Sequence, residues 1–66
     1  MTKWEYLTVT ASSHRDELKP NLVNGRELRD WTKGPNISDY INQLGYQGWE
    51  LVTVDGWNYY FRRPKP

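Results

Sequence analysis

The sequence predicts one small α+β domain over residues 1–66: a four- or five-stranded, mostly antiparallel sheet with a single helix packed on one face. Three observations carry that reading. Ile37, Tyr40, Ile41 and Leu44 recur at i, i+3, i+4 and i+7, which is one apolar stripe of a helix. Segments rich in Val, Thr and aromatic residues, with period-two alternation, lie near both ends of the chain. Two dipeptides, Asn24-Gly25 and Asp55-Gly56, stand between short apolar stretches, the setting of a two-residue hairpin turn.

In chain order, Lys3 to Ala11 opens the sheet, with Trp4 and Tyr6 on one parity and Leu7 and Val9 on the other. Residues 12–19 (SSHRDELK) are polar and end at Pro20, so they are expected as a surface connection. Asn24-Gly25 then turns a hairpin whose strands, around Leu22-Val23 and Glu27-Leu28, can only be short. Trp31 to Pro35 reads as loop, because Gly34-Pro35 interrupts either period. Asn36 caps the helix, Asp39 sits at the positive end of its dipole, and Gly45 is expected to end it in the left-handed conformation. Trp49 to Val54 and Trp57 to Arg63 form the closing hairpin around Asp55-Gly56. A two-residue loop there puts Leu51 opposite Tyr60 and Trp49 opposite Arg62, whereas a one-residue bulge exchanges some of these faces.

A chain of 66 residues cannot build a large core, and ordering it costs about 100 kcal/mol at roughly 1.5 kcal/mol per residue. Ten aromatic residues (four Trp, five Tyr, one Phe) supply much of the apolar area against that cost. One helix covers only one face of a sheet, yet both parities of the terminal strands carry large apolar groups. Either residues 12–35 fold over the second face or another chain does, and the balance leans to a second copy. The expected self-association face holds Trp49, Leu51 and Tyr60, with whichever of Trp4/Tyr6 or Leu7/Val9 shares it.

The segments Trp4-Glu5-Tyr6, then Tyr40-Ile41-Asn42-Gln43-Leu44-Gly45-Tyr46-Gln47-Gly48-Trp49-Glu50-Leu51-Val52, then Tyr60-Phe61-Arg62-Arg63-Pro64 together resemble a known family. It is the group of small bacterial proteins called domain of unknown function family 4177. They share an opening WEY strand, a helix ending in LNxLGxxGWELV and a closing strand ending in F-[KR]-R-P. The likeness covers both ends and leaves residues 12–35 outside it. It implies a small α+β domain of bacteria or their phages, and it brings no activity with it.

Several chemistries lack their residues. No cysteine is present, so disulfides and thiolate metal sites are excluded, and His14 is the only histidine. His14 follows Ser12 and Ser13 in the polar stretch, where adjacent residues cannot form a nucleophile–base–orienter array. Neither GxGxxG nor GxxxxGK[ST] occurs. A non-enzyme without cofactor or metal is expected. A mean hydropathy of −0.96 argues against a membrane span, and Met1-Thr2-Lys3-Trp4-Glu5 lacks the apolar run of a signal peptide, so a cytoplasmic protein is expected.

Charge is uneven along the chain. Residues 62–66 carry three positive charges, leaving six positive and eight negative elsewhere, a net of −2. An acidic body is a poor footprint for nucleic acid. The competing function is nevertheless a single-stranded nucleic-acid module that stacks bases on strand aromatics and meets phosphates with Arg62, Arg63 and Lys65. The favoured function is a non-catalytic protein-interaction module, a homo-oligomer or the binder of an unnamed protein.

Overall fold

A computed structural model describes all residues, Met1–Pro66. Its elements are β1 (Trp4–His14), β2 (Glu17–Val23), β3 (Arg26–Glu27), a single 3-10 turn (Trp31–Lys33), α1 (Ile37–Tyr46), β4 (Glu50–Asp55) and β5 (Asn58–Pro64). The five strands form one sheet in the order β3-β2-β1-β5-β4, and every pairing is antiparallel. This is the small α+β fold with one helix that the sequence predicts.

The centre of the sheet is the β1–β5 pair, where Leu7 faces Phe61 and Val9 faces Tyr59. Cross-strand partners share a face, so these four side chains point the same way. That way is toward α1: Val9, Ala11 and Phe61 form the buried core with Ile37 and Leu44 of the helix. Val9 is 0% exposed and Phe61 1%. At roughly 2 kcal/mol per fully buried large apolar side chain, this small cluster supplies the main packing energy.

The helix begins where Asn36 accepts a 2.9 Å hydrogen bond from the Asp39 N–H. It runs through Gly45 and ends at Tyr46. Gly48, at φ +88°, takes the left-handed position instead; its N–H donates to the Gly45 carbonyl and the Trp49 N–H to the Leu44 carbonyl. That pair of bonds is a Schellman motif, and it aims Trp49 back at the core.

Residues 12–19 are not a surface connection. β1 continues to His14, turns through Arg15 and Asp16, and returns as β2. Both turn residues have positive φ (51° and 64°), the backbone of a type I′ turn made without glycine. Asn24-Gly25 makes the same turn with its usual residues, at φ 51° and 82°. In β2, Asn21 is an extra residue between the Thr10–Leu22 and Ala11–Pro20 pairs, and Pro20 beside it is buried.

The closing hairpin also differs from expectation. Asp55 pairs with Asn58, so the turn is Gly56-Trp57, with Gly56 at φ +60° in the first central position as a type II′ turn requires. Val52 is then an extra residue between the Leu51–Phe61 and Thr53–Tyr60 pairs. The turn shift and the bulge together decide every face assignment on β4.

Candidate protein interface

Opposite the helix lies the second face of the sheet, which the register gives to Trp4, Tyr6, Thr8, Thr10, Tyr60 and Arg62. Residues 12–35 cover only one end of it. There the buried Lys19 sends its Nζ to the carbonyls of Thr32 (2.7 Å) and Gly34 (3.1 Å), with Glu17 at 4.0 Å. Two carbonyl acceptors replace the water that the ammonium loses on burial. The Trp31–Lys33 turn is thereby tied to β2, and Trp31 meets His14 edge-on, ring centres 5.9 Å apart. His14 is therefore a half-buried strand residue packed on an indole, not a solvated loop histidine. Away from that end, Tyr6 remains 68% exposed.

Two arginines fasten the chain ends, one on each face. Arg62 lies 4.3 Å over the Trp4 ring with Glu50 3.7 Å from its Nε. Arg63 lies 4.2 Å over the Trp49 ring, pairs with Glu5, and donates through Nη1 to the Gln47 carbonyl at 2.9 Å. Such cation–π contacts contribute about 0.5–2 kcal/mol each. The tryptophan, glutamate and arginine residues of WEY, GWE and FRR thus converge on two Trp–Arg–Glu stacks. Both guanidinium groups named above as phosphate contacts are engaged within the chain. Lys65 alone of the three is exposed and unengaged through its side chain, although its N–H is held by the Lys3 carbonyl.

The remaining apolar surface lies on β4. All six of its residues are exposed, including Leu51, Val52 (52%) and Val54 (48%), and Trp57 at the tip of the hairpin is 56% exposed. The set Trp49, Leu51 and Tyr60 does not form one face. Leu51 pairs with Phe61 and so lies on the helix side, while Tyr60 pairs with Thr53 and lies on the other. Trp49 stays with Leu51, packed against the core. The cause is the Val52 bulge, which the strand's uniformly apolar run Leu51-Val52 gave no means to locate. The signal that was available is the strand's own composition: β4 carries apolar groups on both faces while only one helix exists to cover them.

One cavity is present, a shallow depression of about 350 Å³ where β1 runs on past the start of β5. Thr10, Ala11, Ser12, Ser13 and Trp57 line it, a set without acid or base to activate a hydroxyl. The Thr10 hydroxyl is already donated to Asn58 Oδ1 at 2.8 Å. Partial burial of Tyr40 on the helix raises its phenol above the ordinary value of 10.0, and Tyr40 does not line the cavity. No helix is long and apolar enough to cross a membrane.

Comparison with protein-family models, with curated proteins and with solved structures finds no match.

Proposed function

We propose that this chain is a non-catalytic, cytoplasmic interaction module that associates with a second copy of itself through β4. The single observation behind this is that a complete strand at the sheet edge has no buried residue and presents Leu51, Val52 and Val54, with Trp57 beside them. An edge strand of that kind offers both apolar side chains and a row of free backbone donors and acceptors to another strand. Proteins that stay monomeric shorten such an edge or load it with lysine or proline; β4 has neither residue. Additional apolar burial matters to a core of five residues, and pairing with a copy supplies it.

Size-exclusion chromatography with light scattering across a dilution series tests the proposal. A mass of twice 7.9 kDa or more, falling on dilution, is the expected result. A mass of 7.9 kDa at every concentration would remove it.

A further inference from the structure

The register of the sheet limits how a second copy can pair with β4, and the limit leaves one clean arrangement. The hydrogen-bond directions come first. The Ala11 N–H donates to the Trp57 carbonyl and the Lys65 N–H to the Lys3 carbonyl, so odd residues of β5 bond toward β1. Antiparallel pairs alternate, so Asn58, Tyr60 and Arg62 bond toward β4. Their partners Asp55, Thr53 and Glu50 therefore turn their backbone groups inward. Val54 and Leu51 turn theirs outward, to the open edge. Ordinary strands present outward groups at every second residue, but the bulge at Val52 sets these two three apart. No regular partner strand can meet both.

Side-chain faces give the second condition. Val54 pairs with Tyr59 and Leu51 with Phe61, on the helix side; Glu50, Thr53 and Asp55 pair with Arg62, Tyr60 and Asn58, on the other. Two copies in one continuous sheet are related by a two-fold axis normal to it, and that axis sets one residue opposite itself. An axis at Val52 would set Leu51 opposite Thr53 of the second copy, across opposite faces. An axis at Thr53 would set Val54 against Val52, the bulged residue with no partner on β5, and an axis at Glu50 or Asp55 would set like carboxylates face to face. An axis at Leu51 keeps faces matched only by placing the Glu50 carboxylate against Val52, on the bulge itself. At Val54 everything agrees: Val54 opposes Val54 on the helix side, and Thr53 opposes Asp55 on the other, a hydroxyl donor against a carboxylate.

We propose, building on the self-association reading above, that a second copy pairs antiparallel along β4 about a two-fold axis through Val54. Each Val54 N–H donates to the Val54 carbonyl of the other copy, giving a ten-stranded sheet. The same register brings Leu51 alongside the tip carrying Trp57 of the second copy, so two exposed apolar groups of this edge cover each other. Glu50 and Asp55, the two carboxylates of the strand, are kept from facing one another.

Because the chain has no cysteine, a single introduced thiol reports on the axis. Residues opposite each other in a hydrogen-bonded pair have Cα atoms about 5.5 Å apart, within reach of a disulfide. In this arrangement Val54→Cys meets its own copy. Leu51→Cys lies three residues from the axis and roughly 20 Å from its copy at about 3.4 Å per residue. The two variants and the unaltered chain are compared by mass in solution and by non-reducing electrophoresis after mild oxidation. A dimeric mass with rapid cross-linking of Val54→Cys and none of Leu51→Cys is the expected result. A dimeric mass with cross-linking of Leu51→Cys, or of neither variant, overturns the axis and leaves self-association standing. A monomeric mass for the unaltered chain at all concentrations overturns both.

Discussion

The sheet ends in two edges built in opposite ways. β3 contributes two residues, Arg26 and Glu27, both charged and exposed, and it is held by a tight Asn-Gly turn. β4 contributes six residues with three exposed apolar side chains, and what blunts it is the bulge at Val52 and a carboxylate at each end, Glu50 and Asp55. A strand as short and charged as β3 offers no ladder and no apolar strip to a neighbour. The bulge in β4 acts differently: it does not close the edge but breaks its period, leaving one stretch that a copy can read. The difference also follows the packing. The Trp31–Lys33 turn is strapped beside β2 by Lys19, while every residue of β4 stays exposed.

The strap gives the largest expected effect. Lys19→Met removes the donor from two half-buried carbonyls, Thr32 and Gly34, and the loss is expected to cost roughly 1–3 kcal/mol in all. A drop in thermal midpoint and freer exchange of amides around Trp31 are expected, with the assembly mass unchanged. If the midpoint stays put, the β2 side of the sheet is held by something other than this lysine.

A smaller effect, of opposite sign, comes from the β1–β2 turn. Arg15 in the left-handed region costs about 1–2 kcal/mol relative to a residue at ease there, while aspartate at the next position is better tolerated. Replacing Arg15-Asp16 by Asn-Gly copies the turn that already joins β2 to β3 and should raise stability by about 1 kcal/mol. Chemical denaturation would show it as a higher midpoint at constant slope.

The covered side of the sheet can be probed by pH. Burial raises the Tyr40 phenol above 10.0, so the folded chain keeps that proton where the unfolded chain releases it. Below pH 10 both states are protonated and Tyr40 contributes no slope; above it the unfolded state binds fewer protons, and stability falls as pH rises. Tyr40→Phe should lose less stability than the unaltered chain over that alkaline range. Equal slopes in the two denaturation series would place Tyr40 in water.

The least disturbance of the folded chain is expected from Val54→Lys. Val54 is exposed, so the monomer should change by within about 0.5 kcal/mol. The same substitution gives β4 the charge that protects other edges, and the concentration dependence of mass should vanish. Retention of the assembly with this lysine in place would move the interface away from β4.

Where local chemistry decides conformation, the sequence was sufficient to read it. The Asn36 cap, the Ile37–Leu44 stripe and the Asn24-Gly25 turn all formed as their residue types require. The β1–β2 hairpin was hidden because its turn uses Arg15 and Asp16 in place of glycine, and because its polar strand residues include His14 and Lys19, which pack against the Trp31 turn. Gly45 was expected to end the helix, but the left-handed position falls to Gly48, which lets Trp49 reach the core. Of the expected face of Trp49, Leu51 and Tyr60, only Leu51 lies on the exposed strand, and the register separates it from Tyr60. A surplus of apolar side chains around β4 is a compositional fact, whereas the split of Leu51 from Tyr60 depends on one inserted residue whose position only the paired strands define.

Amide exchange measured by NMR at low and at high protein concentration tests the central claim most directly. The Val54 N–H turns away from β5 and has no acceptor within the chain, so in the free monomer it should exchange quickly. Self-association through β4 about Val54 predicts that raising the concentration slows exchange at Val54 while leaving Arg26, on the opposite edge, as it was. Unchanged, rapid exchange at Val54 in a sample whose mass has already doubled would contradict the account.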